Sequence, residues 1–349
     1  MVLPVGGFIC GFLAGFAAQY GRLCTVGAIE DALVARDYRR ASAWAVSAAV
    51  AILITQALVF ADVLDLSATH YVLARMDLLG LIVGGLLFGL GAALVGTCAF
   101  GLLVRIGTGD LRALVSAVLL GLAAFAATGG ILSPLRQSLA DFGAVDTTGV
   151  GGTTLTAIAS TQLGNAAAVL CALLVPAVLL AFGIGNQRLH KKPRLIAASC
   201  LMGVAIAGGW LATGVIADPF TVQRPESLTF VAPLGRLILN IMGETLSSTS
   251  FGVATLFGVA MGSLAVALAR GELRWEAFDD QREMRRHLLG ALLMGFGGVL
   301  ARGCTIGQGL TGTSTLSIAA PIAVAAMVVG ARFGLTHLIE GRPLFARWR

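Results

Sequence analysis

Nine stretches of this chain carry no charged side chain: 1–21, 41–61, 78–104, 113–135, 147–187, 195–217, 245–269, 288–301 and 303–331. A helix needs about 20 apolar residues to cross the hydrocarbon core of a bilayer. Charged residues make up only 12% of the chain, against about 25% in a soluble domain, so a water-facing surface could not be covered. There are 46 glycines and 9 prolines, which suits helices that approach closely in lipid. These features predict an all-α, polytopic integral membrane protein with about nine membrane helices. The Gly- and Thr-rich start of 147–187 places its helix near 164–185. Met1–Tyr20 lacks a basic n-region and a clear cleavage site, and reads as a retained helix.

The net charge is +6, but no basic stripe is interleaved with aromatics, so nucleic acid is not expected. The basic residues instead fall in short loops: Arg36, Arg39 and Arg40; Arg188, Lys191, Lys192 and Arg194; Arg270, Arg274, Arg282, Arg285 and Arg286; and Arg342, Arg347 and Arg349. Placing all four groups in the cytoplasm puts the N-terminus outside and the C-terminus inside. The stretches around Cys98 and Cys304 then read as helical hairpins, turning within the membrane and entering from opposite sides.

An inverted repeat should follow. Sliding 84–101 onto 290–307 without a gap aligns Gly84, Leu86, Leu87, Gly89, Gly91, Leu94, Cys98 and Gly101 with Gly290, Leu292, Leu293, Gly295, Gly297, Leu300, Cys304 and Gly307. Gly15, Cys24 and Gly27 repeat the spacing of Gly295, Cys304 and Gly307, with Arg22 and Arg302 each two residues before the cysteine. A degenerate fourth copy reads from Gly203 to Ala212. The expected organisation is one transmembrane domain: a first inverted half over 1–135, a connecting segment with one membrane helix over 136–194, and a second half over 195–349. Such repeats mark transporters whose substrate sites lie at broken helices near the midplane.

Cysteine followed by a small residue and glycine suits a helix break. Backbone freed there must be buried in protein or line a cavity, and its N–H groups can bind an anion. A neutral thiol is a weak donor and a soft, polarisable group. Burial in apolar surroundings keeps the proton on it. Cys24, Cys98 and Cys304 could therefore pass a soft anion along by weak contacts, as conduction requires. Cys10, Cys171 and Cys200 lie in featureless apolar runs and read as packing residues.

Four further residues stand beside this pattern. Arg22 and Arg302 either draw anions to the path or pair with a carboxylate such as Glu30, Asp31 or Glu244. Glu244 is a coupling or gating carboxylate, or a cap for the helix beginning near Ser250. Gln308 lines a hairpin turn or belongs to close packing. Arg105 and Asp110 are expected to pair structurally. The histidines, His70, His190, His287 and His337, are placed in or near loops. With no catalytic or zinc motif, no enzyme activity, cofactor or metal is expected.

The segments GRLCTVGAIED at 21–31, GTCAFGLLVRIGTGD at 96–110 and GFGGVLARGCTIGQGLTG at 295–312 resemble the YeeE/YedE family of membrane proteins over nearly the whole chain. The resemblance implies an inner-membrane transporter of sulfur compounds, thiosulfate foremost, with Cys24, Cys98 and Cys304 along a central path. It also implies a separate TusA-like sulfur-carrier protein as a partner of some relatives, and a link of others to selenium. The alternative function is a membrane subunit that passes a persulfide-like group to a cytoplasmic carrier.

Overall fold

In a computed structural model of the chain, the apolar runs form an all-α bundle. The structure describes residues 2–72, 75–147, 152–216, 224–243 and 250–340. Glu244 and the tail residues Arg342, Arg347 and Arg349 lie outside the described residues.

The chain begins with α1 (Val2–Gly21), α2 (Thr25–Val34) and α3 (Arg39–Phe60). Strand β1 (Arg75–Asp77) leads into α4 (Leu78–Val95), α5 (Ala99–Gly107) and α6 (Leu111–Thr128). The middle holds α7 (Ser133–Phe142), β2 (Ala144–Asp146), α8 (Leu155–Leu163), α9 (Asn165–Ile184) and α10 (Gln187–His190). The last part comprises α11 (Pro193–Gly214), α12 (Val231–Met242), α13 (Phe251–Arg270), α14 (Gln281–Leu300), a π-helix (Gly307–Gly312) and α15 (Ala319–Glu340). β1 and β2 pair antiparallel, Met76 opposite Val145.

Among the described residues, 8 helical segments are long and apolar enough to cross a membrane, α1 counted with α2 and α4 with α5. Helix α14 adds a 20-residue helix whose first turns are charged. His287 is buried within α14 rather than in a loop, its Nδ1 3.3 Å from Ser116 Oγ.

Glycine decides how the helices meet. α1 runs parallel to α13, with Gly7, Gly11 and Gly15 against Phe251, Thr255 and Val259; a Cβ at Gly15 would lie 2.1 Å from the Val259 carbonyl oxygen. No side chain fits there, and the backbones touch. α4 is parallel to α15 through Gly85, Gly89 and Gly330. α4 is antiparallel to α14, Gly84 facing Ala301 and Gly91 facing Gly290. α1 is likewise antiparallel to α11, Gly6 against Ala212 and Gly21 against Ala198. α3 packs on α11, and α6 on α14.

These contacts fix where two helices stop. Val95, the last residue of α4, lies beside Gly290, well inside the start of α14; Ala301, just past α14, lies beside Gly84, well inside the start of α4. Both helices therefore end within the bundle. The chain does not reverse at Cys98: α5 continues onward, and the turn comes at Thr108–Asp110. There Arg274 N donates to Thr108 O and Leu111 N to Glu276 O.

Two expected features differ. Ala212 lies inside the continuous helix α11; the break in this region comes later, at the residues before α12. Asp110 caps α6 and pairs with Arg112 at 3.1 Å, while Arg105 donates to Gly96 O at 3.4 Å. Asp110 can take the near partner because Arg112 follows it on α6.

Candidate functional site

Three helix breaks share one backbone device. The residue two before each cysteine sits in the left-handed region: Arg22 at φ 54°, Gly96 at 77° and Arg302 at 55°. That single step ends α1, α4 and α14 and lets the chain restart at the cysteine. Cys24 is the N-cap of α2, and Cys98 the N-cap of α5. Cys304 precedes the π-helix.

Each break turns thiol chemistry inward. Gly27 N donates to Cys24 Sγ at 3.4 Å, and Gly307 N to Cys304 Sγ at 3.3 Å. A sulfur that accepts a backbone N–H keeps its own proton for another acceptor. Cys98 Sγ lies 4.0 Å from Thr25 Oγ1, the residue after Cys24. Cys98 lies near Cys24 on one side and near Cys304 on the other. Thr305 approaches Cys98, and its hydroxyl is buried with no hydrogen bond among the described residues. The three sequence-predicted cysteines thus come together in the order Cys24, Cys98, Cys304.

Two cavities approach this series from opposite ends. One, of about 770 Å³, opens at the end carrying Arg40, Arg270 and Arg274 and reaches Cys24, Cys98 and Phe100. The other, of about 610 Å³, is lined by His70, Arg136, Arg224, Thr229, Arg236 and Arg302. Thr108 lines the first and Thr128 the second. They flank α6, whose 18 residues span about 27 Å at 1.5 Å per residue. Between the cavities the chain is closed. Cys304 and Phe230 are 0% exposed and Phe100 2%, and the two rings lie 5.0 Å apart. Phe230 stands immediately before α12, where a fourth cysteine would belong by analogy with Cys24 before α2.

The polar candidates separate clearly. Arg22 stands at the mouth of the larger cavity and donates to Glu272 at 3.1 Å, while Gln19 donates to the same carboxylate at 2.9 Å. The Arg22 hydrogen bond holds the Glu272 carboxyl below its usual range. Its partner is none of the carboxylates expected from sequence. Arg302 lines the smaller cavity, and no carboxylate lies within ion-pair distance of it among the described residues. Gln308 sits in the π-helix and donates through Nε2 to Ala301 O at 2.8 Å and to Arg302 O at 3.3 Å. It thereby satisfies carbonyls left free where α14 ends. Ser250 is itself the N-cap of α13, accepting from Val253 N at 3.4 Å.

Sequence reading missed Phe100, Phe230 and the ring of Arg136, Arg224, Arg236 and His70. In the second cavity, Arg236 is paired with Glu226 at 3.3 Å. Burial, followed by the charges of Arg236, Arg302 and Arg224, pushes the His70 imidazole down to about 4. Among the described residues no group of His, Cys, Asp and Glu could hold a metal ion.

The chain is similar to proteins already described as transporters. A thiosulfate transporter, TsuA, of Escherichia coli (strain K12) is 27% identical over 360 aligned positions, covering 97% of this chain and 95% of the relative. A thiosulfate transporter, TsuA, of Spirochaeta thermophila (strain ATCC 700085 / DSM 6578 / Z-1203) is 27% identical over 335 positions, covering 93% and 96%. Both relatives are transporters, not enzymes. A family described as "Sulphur transport" matches residues 20–333, and this multi-helix membrane chain belongs to that YeeE/YedE sulphur-transport family.

Proposed function

We propose that the chain takes up thiosulfate or a closely related sulfur anion, passing it between neutral thiols. The observation that carries this reading is the placement of three cysteines at three helix breaks, between two arginine-lined cavities. An entering anion meets Arg302, which has no ion-pair partner among the described residues, then Cys304, Cys98 and Cys24, and leaves past Arg22. At Cys24 and Cys304 the backbone N–H on the sulfur leaves the S–H free to donate to the passing anion. No single contact is strong, so the ion is not trapped. The Phe100–Phe230 pair separates the cavities and must part, or rotate, for passage.

The likeness to two thiosulfate transporters supports the substrate. The basic loops support an orientation with the larger cavity facing the cytoplasm and the smaller one outside, in an inner membrane. The exchanged helix packing, α1 with α11 and α13 and α4 with α14 and α15, supports inverted halves over 1–135 and 195–349. A separate sulfur-carrier protein would meet the anion at the Arg22 mouth.

Purified protein in liposomes tests the reading directly. Radiolabelled thiosulfate should accumulate in vesicles containing the wild-type chain and not in vesicles containing folded Cys304→Ala protein. Equal uptake by both would remove the thiol path, and absence of uptake by the wild type would remove the transport reading.

A further inference from the structure

A third cavity, of about 460 Å³, lies on the outside of the bundle, away from the cysteines, where the start of α3 meets the end of α9. It is lined by Arg36, Tyr38, Phe182, Asn186 and Arg188 among others. Its floor is fixed: Asn186 Nδ2 donates to Ser42 Oγ at 3.1 Å. Gly183, buried under it, permits α9 to close on α3, since a Cβ there would lie 2.6 Å from Val46.

The charge of this corner is not balanced. The charge of Asp37 reaches Arg188, but Arg39 holds both its oxygens, with Nε 2.6 Å from one and the Arg39 N–H 3.1 Å from the other. Asp31 is taken by Arg40 at 3.3 Å. Among the described residues, no carboxylate lies within ion-pair distance of Arg36 or Arg188. Arg36 also holds a left-handed backbone, φ 49°, which costs a non-glycine residue about 1 kcal/mol or more. Strain of this kind persists where the position has a use.

The surroundings say which anion would fit. Tyr38 and Phe182 are exposed beside the two guanidinium groups. Above them, Leu170, Leu174 and Val178 continue an exposed apolar stripe along α9, the least covered of the eight candidate spans. A soluble phosphate has no use for that stripe. A phospholipid does, with its phosphate between the arginines and its acyl chains along α9. Basic pockets between membrane helices suit such headgroups.

We propose that the cavity bounded by Arg36, Arg188 and Tyr38 is a binding site for one anionic phospholipid of the leaflet on the basic side. The site is separate from the transport path and does not rest on the function proposed above.

Native mass spectrometry of the delipidated full chain tests it, with phosphatidylglycerol or phosphatidylcholine added back. The wild type should bind phosphatidylglycerol roughly 30-fold more tightly than phosphatidylcholine, the expectation for two guanidinium contacts at a membrane surface. The double variant Arg36→Gly, Arg188→Gln should lose most of that preference. Glycine at 36 relieves the backbone strain, so the variant should stay folded, as an unchanged Tm in phosphatidylcholine would show. Lys191→Gln, Lys192→Gln, on the same face but outside the cavity, should keep the preference. Retention by the arginine variant would overturn the proposal, as would an equal loss in the lysine variant. Displacement of the lipid by millimolar inorganic phosphate would point to a soluble-anion site instead. Loss of a dimer mass rather than a lipid adduct would make the face a protein interface. Either result would also overturn it.

Discussion

Arg22 and Arg302 occupy equivalent places in two helix breaks: each stands two residues before a cysteine, and their φ angles, 54° and 55°, agree to a degree. At the middle break the same step is made by Gly96. Glycine would serve the backbone better at all three, because arginine there costs about 1 kcal/mol or more. Arginine must therefore contribute something other than geometry.

Glycine substitution separates the two contributions. Arg302→Gly should raise stability by up to about 1 kcal/mol and weaken uptake at low substrate, with an apparent KM higher by roughly tenfold through lost electrostatic attraction. Arg302→Ala should show the same KM without the gain in stability. Thermal unfolding and liposome uptake measure both. An unchanged KM in Arg302→Gly would leave the arginine with no role in anion capture.

Replacement of single thiols should divide by chemistry. Cys98→Ala and Cys304→Ala remove a donor, and a hydrogen bond to a charged group is worth about 1.5–3 kcal/mol, so uptake should fall by at least roughly tenfold. Cys304→Ser should recover part of the loss, because a hydroxyl still donates. If serine is as inactive as alanine, sulfur itself is required for more than hydrogen bonding.

Intact mass after exposure to thiosulfate distinguishes passage from delivery of a persulfide-like group. Hydrogen-bonded passage leaves Cys24, Cys98 and Cys304 unmodified. A mass increase of one sulfur atom on any of them would favour the covalent reading.

The Phe100–Phe230 contact should act as a size filter. Phe100→Leu keeps the site apolar while shortening the side chain, and should admit bulkier anions that the wild type excludes. Competition of labelled thiosulfate uptake by a panel of larger sulfonates would reveal this. An unaltered inhibition profile would place the barrier elsewhere.

His70 sets an expectation for pH. Its imidazole, at about 4 in the fold against about 6.5 when free, stays neutral from pH 6 to 8. Uptake in His70→Gln should therefore follow the wild-type pH profile over that range. Between these two values the unfolded chain binds the proton and the folded chain does not, so this group contributes a loss of stability as pH falls from about 6.5 towards 4. His70→Gln should unfold less readily at pH 5 relative to pH 7 than the wild type does. A larger acid sensitivity in the variant would contradict the assignment.

Much of this architecture was readable from residue order because lipid imposes a simple rule. Charge-free runs marked the spans, and α9 at Asn165–Ile184 lies within the 164–185 expected. The cysteine motif located all three breaks, since glycine follows each cysteine by three residues and arginine or glycine stands two before it. Spacing from Gly203 points to Ala212, whereas α11 runs on through Gly214 and the corresponding break precedes α12. There Phe230 stands directly before α12, as Cys24 does before α2, and no cysteine marks the place. The Phe100–Phe230 contact was equally invisible: it joins distant segments through tertiary packing, which no local pattern encodes. Partners such as Glu272 for Arg22 were hidden for the same reason.

The glycine contacts between α1 and α13, and between α4 and α15, have a mechanical consequence. Helices whose backbones touch along several turns cannot slide past one another without collision, because no side chains lie between them to rearrange. Whatever movement lets an ion through is then confined to the pieces inserted between these rigid pairs: α2, α5, α12 and the π-helix. The protein would work less like a pair of rocking halves than like a fixed frame holding a small, adjustable throat.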